Sequence, residues 1–162
     1  MRRVNVGVLF IASMAAIGCA SLRTHRETVR AQIEREYGDI VAGFKKDDPT
    51  AWIRHLAPTF QLVLFNGSVQ NRDWAVSYVR NNAHSFHVVE LAIAIKDLAA
   101  AADSAVATVE QTSKRTFDDT TGKHMLEIGA IQRETWRRGK NSKWLLVKVQ
   151  EKEVLYIRRD GK

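Results

Sequence analysis

The apolar positions follow two regimes along the chain, helical spacing up to about residue 82 and alternation beyond it. Val29, Ile33, Tyr37, Ile40 and Phe44 recur at steps of four and three behind a capping-box pair, Thr24 and Glu27, which predicts one long amphipathic helix. It should end at Lys45-Lys46, basic residues suited to the negative end of the helix dipole. Asp48-Pro49 then reads as the N-cap and first residue of a second, short helix carrying Trp52, Ile53 and Leu56 and stopping before Pro58. The run from Phe60 to Phe65 reads as a strand closed by the turn signal Asn66-Gly67. A third helix, from about Asn71 to Asn82, sets Trp74 and Tyr78 one turn apart on one face.

After that helix the period changes. His87, Val89, Leu91, Ile93 and Ile95 alternate, as do Leu126, Ile128 and Ala130 and then Leu145, Val147 and Val149, with a weaker alternation over residues 105–116. The breaks between these runs, at Ala102-Asp103, at 118–122 and at 139–142, are short and turn-rich, so the strands should be antiparallel neighbours. Three N-terminal helices packed on a curved antiparallel sheet make an α+β domain, a cone-shaped roll. A chain of 162 residues, 45% hydrophobic and with two prolines, has room for one such core.

The first residues are of another kind. Arg2 and Arg3, an apolar run from Val6 to Ile17 and small residues after it form the layout of a secretory signal peptide, too short to span a bilayer comfortably as a permanent helix. Cys19, the one cysteine of the chain, follows Ala16-Ile17-Gly18, a stretch that resembles the bacterial lipobox. That resemblance implies cleavage before Cys19 and acylation of its thiol, giving a lipid anchor on an extracytoplasmic or periplasmic membrane face. Gly18-Cys19-Ala20 also offers a small-x-small site, and cleavage after Ala20 would instead release a soluble secreted protein. The expected organisation is a signal peptide over 1–18, a tether over 19–23, the domain over 24–157 and a basic tail over 158–162. With Cys19 consumed, the domain has no thiol for a disulfide, a metal or nucleophilic attack.

The formal charge is +7, and without Arg2 and Arg3 it is +5, from 23 basic and 18 acidic residues. The surplus is spread between an early and a late stretch, which reads as solvated faces rather than a phosphate-binding surface. The segment from Trp136 to Trp144 interleaves aromatic and basic residues, but its tryptophans are expected to pack inward, and no nucleic-acid partner is expected.

The order helix, helix, strand, helix and long meander resembles the nuclear transport factor 2-like superfamily, the cone fold shared with SnoaL-like polyketide cyclases and ketosteroid isomerase. The residues that carry the likeness are Leu56-Ala-Pro-Thr-Phe60, Asn66-Gly67 and the closing hairpin with Trp136, Gly139 and Trp144. The resemblance covers about residues 24–157. It places Leu64 where ketosteroid isomerase carries its proton-shuttling aspartate, three residues before the glycine, so the isomerase base is absent.

Candidate chemistry is sparse. His84 and His87 straddle a helix-to-strand junction with no acidic or thiol partner nearby in sequence, so no metal site is expected. No Ser-His-Asp arrangement, phosphate-cradling loop or zinc-protease motif occurs, and no cofactor is expected. Polar residues within the apolar strands, among them Glu90, Gln111, Gln132, Glu134, Lys148 and Gln150, can reach the inside of the cone. The expected pocket is lined by Trp52, Phe60, Trp74, Tyr78, Gln132, Glu134 and Trp136 and binds a small apolar molecule. This reads as a non-catalytic binding or accessory protein for a small ligand or an envelope partner. The alternative is a SnoaL-like enzyme with Glu134 or a histidine as its base, for which a buried carboxylate or imidazole with a shifted pKa would speak. Apolar residues on both strand faces (Phe86 and Val88 against His87 and Val89) suggest a homodimer through the outer face of the sheet.

Overall fold

The computed structural model describes residues 9–48, 50–82 and 85–162, excepting the side chains of 9–22 and 82. Residues 1–8 of the expected signal peptide, the side chain of Cys19, Pro49 and His84 therefore lie outside the described residues. Helix α1 (Leu9–Phe44) runs unbroken through Thr24, so Thr24 and Glu27 do not cap a helix start as their spacing suggests. The Thr28 hydroxyl donates to the Thr24 carbonyl, and Glu27 pairs with Arg23 at 3.0 Å, the one-turn contacts of a helix interior. The helix closes where Asp47 takes a left-handed φ of 55° and the Asp48 N–H returns to the Gly43 carbonyl.

Helix α2 (Thr50–Ile53) is a single turn capped by Asp48, whose Oδ1 accepts the Thr50 N–H at 2.9 Å. It is shorter than its apolar residues suggest, because Leu56 already belongs to strand β1 (Leu56–Val63). The Leu146 N–H donates to the His55 carbonyl at 2.7 Å and draws the chain into the sheet there. Pro58 is tolerated within β1 because it falls in a register shift between Leu56 and Gln61, where no ladder bond needs its missing N–H. The Asn66-Gly67 turn forms as expected, with Gly67 at a φ of 82°, and leads into β2 (Val69–Asn71), too short for alternation to reveal. Asn71 caps α3 (Arg72–Asn82) by accepting the Trp74 N–H.

The long meander follows as β3 (His87–Ala100), β4 (Ser104–Asp119), β5 (Gly122–Arg138) and β6 (Trp144–Arg159). The six strands form one sheet in the order β2-β1-β6-β5-β4-β3. Two details differ from the expected arrangement. The sheet is mixed, because the last strand returns beside the first and pairs with it in parallel, and the single strand expected between the second and third helices is a hairpin, β1–β2, so that only α1 and α2 precede the sheet. β6 also runs on through Arg158 and Arg159; the former lies over the Tyr156 ring and the latter pairs with Asp119.

Side-chain parity divides the sheet. On β4 the odd positions face α1, and small Ala105 and Ala107 leave room for the Trp136 ring from β5, with Trp144, Leu146, Phe60, Ile33 and Val29 closing the core around it. Gln32 of α1 ties the closing hairpin down, its Oε1 accepting from Trp144 Nε1 at 2.8 Å and from Arg138 at 3.0 Å. Both hairpin tryptophans are thus inside. The opposite face of β3–β5 carries ion pairs, Lys96 with Glu110 and Lys114 with Glu90 and Glu127. Phe86 and Val88 turn inward to line a cavity, while Val89, in a β3 bulge, is exposed. Among the described residues no helix is long and apolar enough to cross a membrane.

Candidate functional site

Between α1, α3 and the inner face of the sheet lies a cavity of about 390 Å³. Ile40 and Phe44 of α1, Leu91 and Ile93 of β3, Ile128 of β5 and Val149 of β6 give it apolar walls, and Trp52 and Tyr78 stand among its lining residues. Gln111, Ser113, Arg115, Gln132 and Glu134 break that lining with polar groups, the composition typical of small-molecule sites.

Glu134 lies at the inner end, 5% exposed. Its Oε2 accepts the Tyr37 hydroxyl at 2.5 Å and Trp136 Nε1 at 3.0 Å. Glu134 and Trp136 share a strand face two residues apart, and Tyr37 meets the Trp136 ring edge-on at 5.3 Å. Both bonds fall on Oε2, so Oε1 is the oxygen left for a molecule in the cavity. Burial pushes the carboxyl up to about 7, with the two donors pulling the other way. Burial first, and then the adjacent Glu134, raise the Tyr37 phenol well above its ordinary range, which keeps it a donor.

Towards the mouth, Asp47 holds His87 Nδ1 at 2.8 Å, and Glu151 Oε2 accepts the Phe65 N–H at 3.0 Å. Arg115 reaches the cavity from β4 with its Nε buried and without a hydrogen-bond partner among the described residues. Burial pushes this guanidinium below its ordinary range.

Of the residues expected to line the pocket, Trp52, Tyr78, Gln132 and Glu134 do so. The other three do not. Phe60 and Trp136 lie behind the wall in the core, Phe60 edge-on to Trp52 at 5.6 Å. Trp74 stacks on Tyr78 at 5.0 Å but on the outward side, 36% exposed, because one helical turn aligns two rings without deciding which way they face. Glu90, which the alternation left open to either face, pairs with Lys114 outside. Tyr37 and Arg115 are the site residues that sequence reading missed. Each had a signal: a lone hydroxyl in an aliphatic helix stripe, and a charge at the same strand parity as Ala105, Ala107 and Val109.

A second, polar cleft lies at the end of α1. His55 is buried with its Nδ1 2.9 Å from Glu36 Oε2 but out of line for a hydrogen bond, and Asp39 completes a group whose ligand atoms lie within 4.8 Å of one another. Burial pushes His55 down to about 4, with Lys143 adding to the effect, and Glu36 is raised by burial. Lys46, Arg54 and Lys143 line the same cleft, so protein cations already supply positive charge to these carboxylates.

No family model and no curated protein matches the chain. Solved structures do. A nuclear transport factor 2-like protein of unknown function in nutrient uptake from Rhodospirillum rubrum aligns over 76% of this chain and 98% of its own, with a TM-score of 0.57 and 20% identity. A ketosteroid isomerase-like protein from Erwinia carotovora atroseptica aligns over 78% and 95%, with a TM-score of 0.62 and 15% identity. A type 2 hexachlorocyclohexane dehydrochlorinase aligns over 83% and 90%, with a TM-score of 0.62 and 16% identity. At such identities the likeness concerns the backbone, and the chain adopts the nuclear transport factor 2-like cone fold.

Proposed function

We propose that the cone is a binding site for one small, mostly apolar molecule, held between α1 and the inner face of the sheet. The observation that carries this reading is the cavity itself, with apolar walls and a few polar groups converging on it. A close-packed core would have filled that space. Thermal denaturation with 2-naphthol tests it, since a molecule that binds only the folded chain raises the midpoint. An unchanged midpoint at saturating 2-naphthol and across a broad panel of apolar compounds would rule it out.

A specific observation favours a second reading, in which the bound molecule exchanges a proton with Glu134. A carboxyl at the cavity lining whose pKa burial pushes up to about 7, fixed by Tyr37 and Trp136 through one of its oxygens, has the properties of a general acid or base. This fold hosts both binders and enzymes, so the fold does not choose between them. The probe is 2-tetralone in deuterated buffer. Proton transfer predicts α-carbon exchange above the buffer rate that Glu134→Gln abolishes; exchange at the buffer rate with the ketone bound leaves pure binding.

We propose further that the domain works on the outer side of a membrane, held by lipid on Cys19. The support is in the sequence: the basic head, the apolar run to Ile17 and the sole cysteine after Gly18.

A further inference from the structure

Arg115 lines the cavity with one nitrogen that the described residues leave unsatisfied. Its Nε is buried without a partner among the described residues. The three acidic residues that line the same cavity are engaged elsewhere: Asp47 with His87, Glu134 with Tyr37 and Trp136, and Glu151 with the Phe65 N–H. A guanidinium whose Nε is withdrawn from water without an acceptor works against folding, and burial lowers its pKa, with Tyr78 acting in the other direction. The group makes sense if the bound molecule brings the anion, and a planar fork of N–H donors suits a carboxylate best.

The strand register gives the ligand a direction. Arg115 sits between Val88 of β3 and Leu126 of β5, both at the cavity wall. Glu134 pairs with Ala107, and lies eight residues beyond Leu126 along β5, a path of roughly 25 Å before the curl of the sheet shortens it. Ser113, Gln111, Ile128 and Gln132 line the strip between these ends. A carboxylate at the Glu134 end would face a second carboxyl, whereas at Arg115 it meets a cation.

We propose that the cavity takes an elongated apolar monocarboxylate, its head group held by Arg115 and its apolar body directed along β4 and β5 towards Glu134. This rests on the binding reading above and adds the class of ligand. The test is calorimetric titration of the full chain with decanoate and with decan-1-ol at pH 8. Decanoate should bind at least tenfold more tightly than decanol, and Arg115→Met should bring it to the level of decanol while leaving decanol unchanged. The same variant without ligand should unfold at a higher temperature, because it removes a buried Nε–H that has no acceptor among the described residues. Equal affinity for the two probes, or a carboxylate preference that survives in Arg115→Met, would overturn the assignment and leave the binding reading standing. If neither probe binds, the elongated monocarboxylate is ruled out, while the binding reading is decided separately by 2-naphthol. The two-probe comparison on the unaltered protein decides the matter even if the variant does not fold.

Discussion

Tyr37 of α1 donates its hydroxyl to Glu134 of β5 at 2.5 Å, across ninety-seven positions of sequence, and so joins the long helix to the innermost polar group of the cavity. A buried carboxyl needs such partners, since desolvation penalises its charge and an orphaned oxygen would be worse. Tyr37→Phe should therefore do two things. The fold should lose about 1–3 kcal/mol in a urea titration. The Glu134 carboxyl, with one donor fewer, should titrate higher still by NMR. A carboxyl pKa that stays put would mean that this bond does not set its level.

The raised Glu134 pKa has a defined effect on stability. Its folded value, about 7, lies above the ordinary 4.5, so the folded state binds the extra proton and the contribution is complete below about pH 4.5. It is lost as pH rises to 7, by roughly 3 kcal/mol. His55 acts with the opposite sign. Depressed to about 4, it is neutral in the fold, and its contribution is present above 6.5 and lost as pH falls towards 4. The two slopes oppose each other between about pH 4.5 and 6.5, so the wild-type profile should be shallow there. Glu134→Gln should unmask the His55 slope, with stability rising from pH 4.5 to 6.5 by denaturant titration at each pH. Parallel profiles for the two proteins would contradict the Glu134 assignment.

The tryptophans separate core from surface. Trp136 is fully buried between Tyr37 and the small β4 residues, and Trp136→Ala should cost about 3–5 kcal/mol. Trp74, a third exposed and outside the cavity, should cost only about 1 kcal/mol on truncation, mostly from its stack on Tyr78. Paired urea titrations read both. Equal losses would mean that the α3 face is misassigned.

Much of this architecture was legible in the sequence because period and punctuation carry it. The stripe from Val29 to Phe44, the Asn66-Gly67 turn, α3 and the four-strand meander all follow from spacing. The start of α1 was not, since a capping pattern at Thr24 means nothing when helical residues continue on its N-terminal side. Nor was the parallel pairing of β1 with β6, a contact between chain ends that no local signal encodes. At the site, parity along β5 placed Glu134 and Trp136 on one face but not at one depth; the Trp136 ring turned out to be the support behind the carboxyl rather than pocket wall. Tyr37 stands in the apolar stripe of α1, and no local signal names the partner of its hydroxyl, which lies on a strand ninety-seven positions away.

At the N-terminus, Cys19→Ser should abolish acylation and leave a soluble or unprocessed chain. Membrane fractionation and intact mass check this. A wild-type protein that carries no acyl group, with Cys19→Ser fractionating as before, would remove the lipid anchor from the account.

The central claim is that the cone holds a small molecule, and the most direct measurement is calorimetric titration of 2-naphthol into the wild-type protein and into Ile128→Trp, whose added ring would occupy the cavity. The account predicts saturable one-to-one binding to the wild type, lost in a variant that remains folded by circular dichroism. Binding that is absent from the wild type, or undiminished in folded Ile128→Trp, would contradict it.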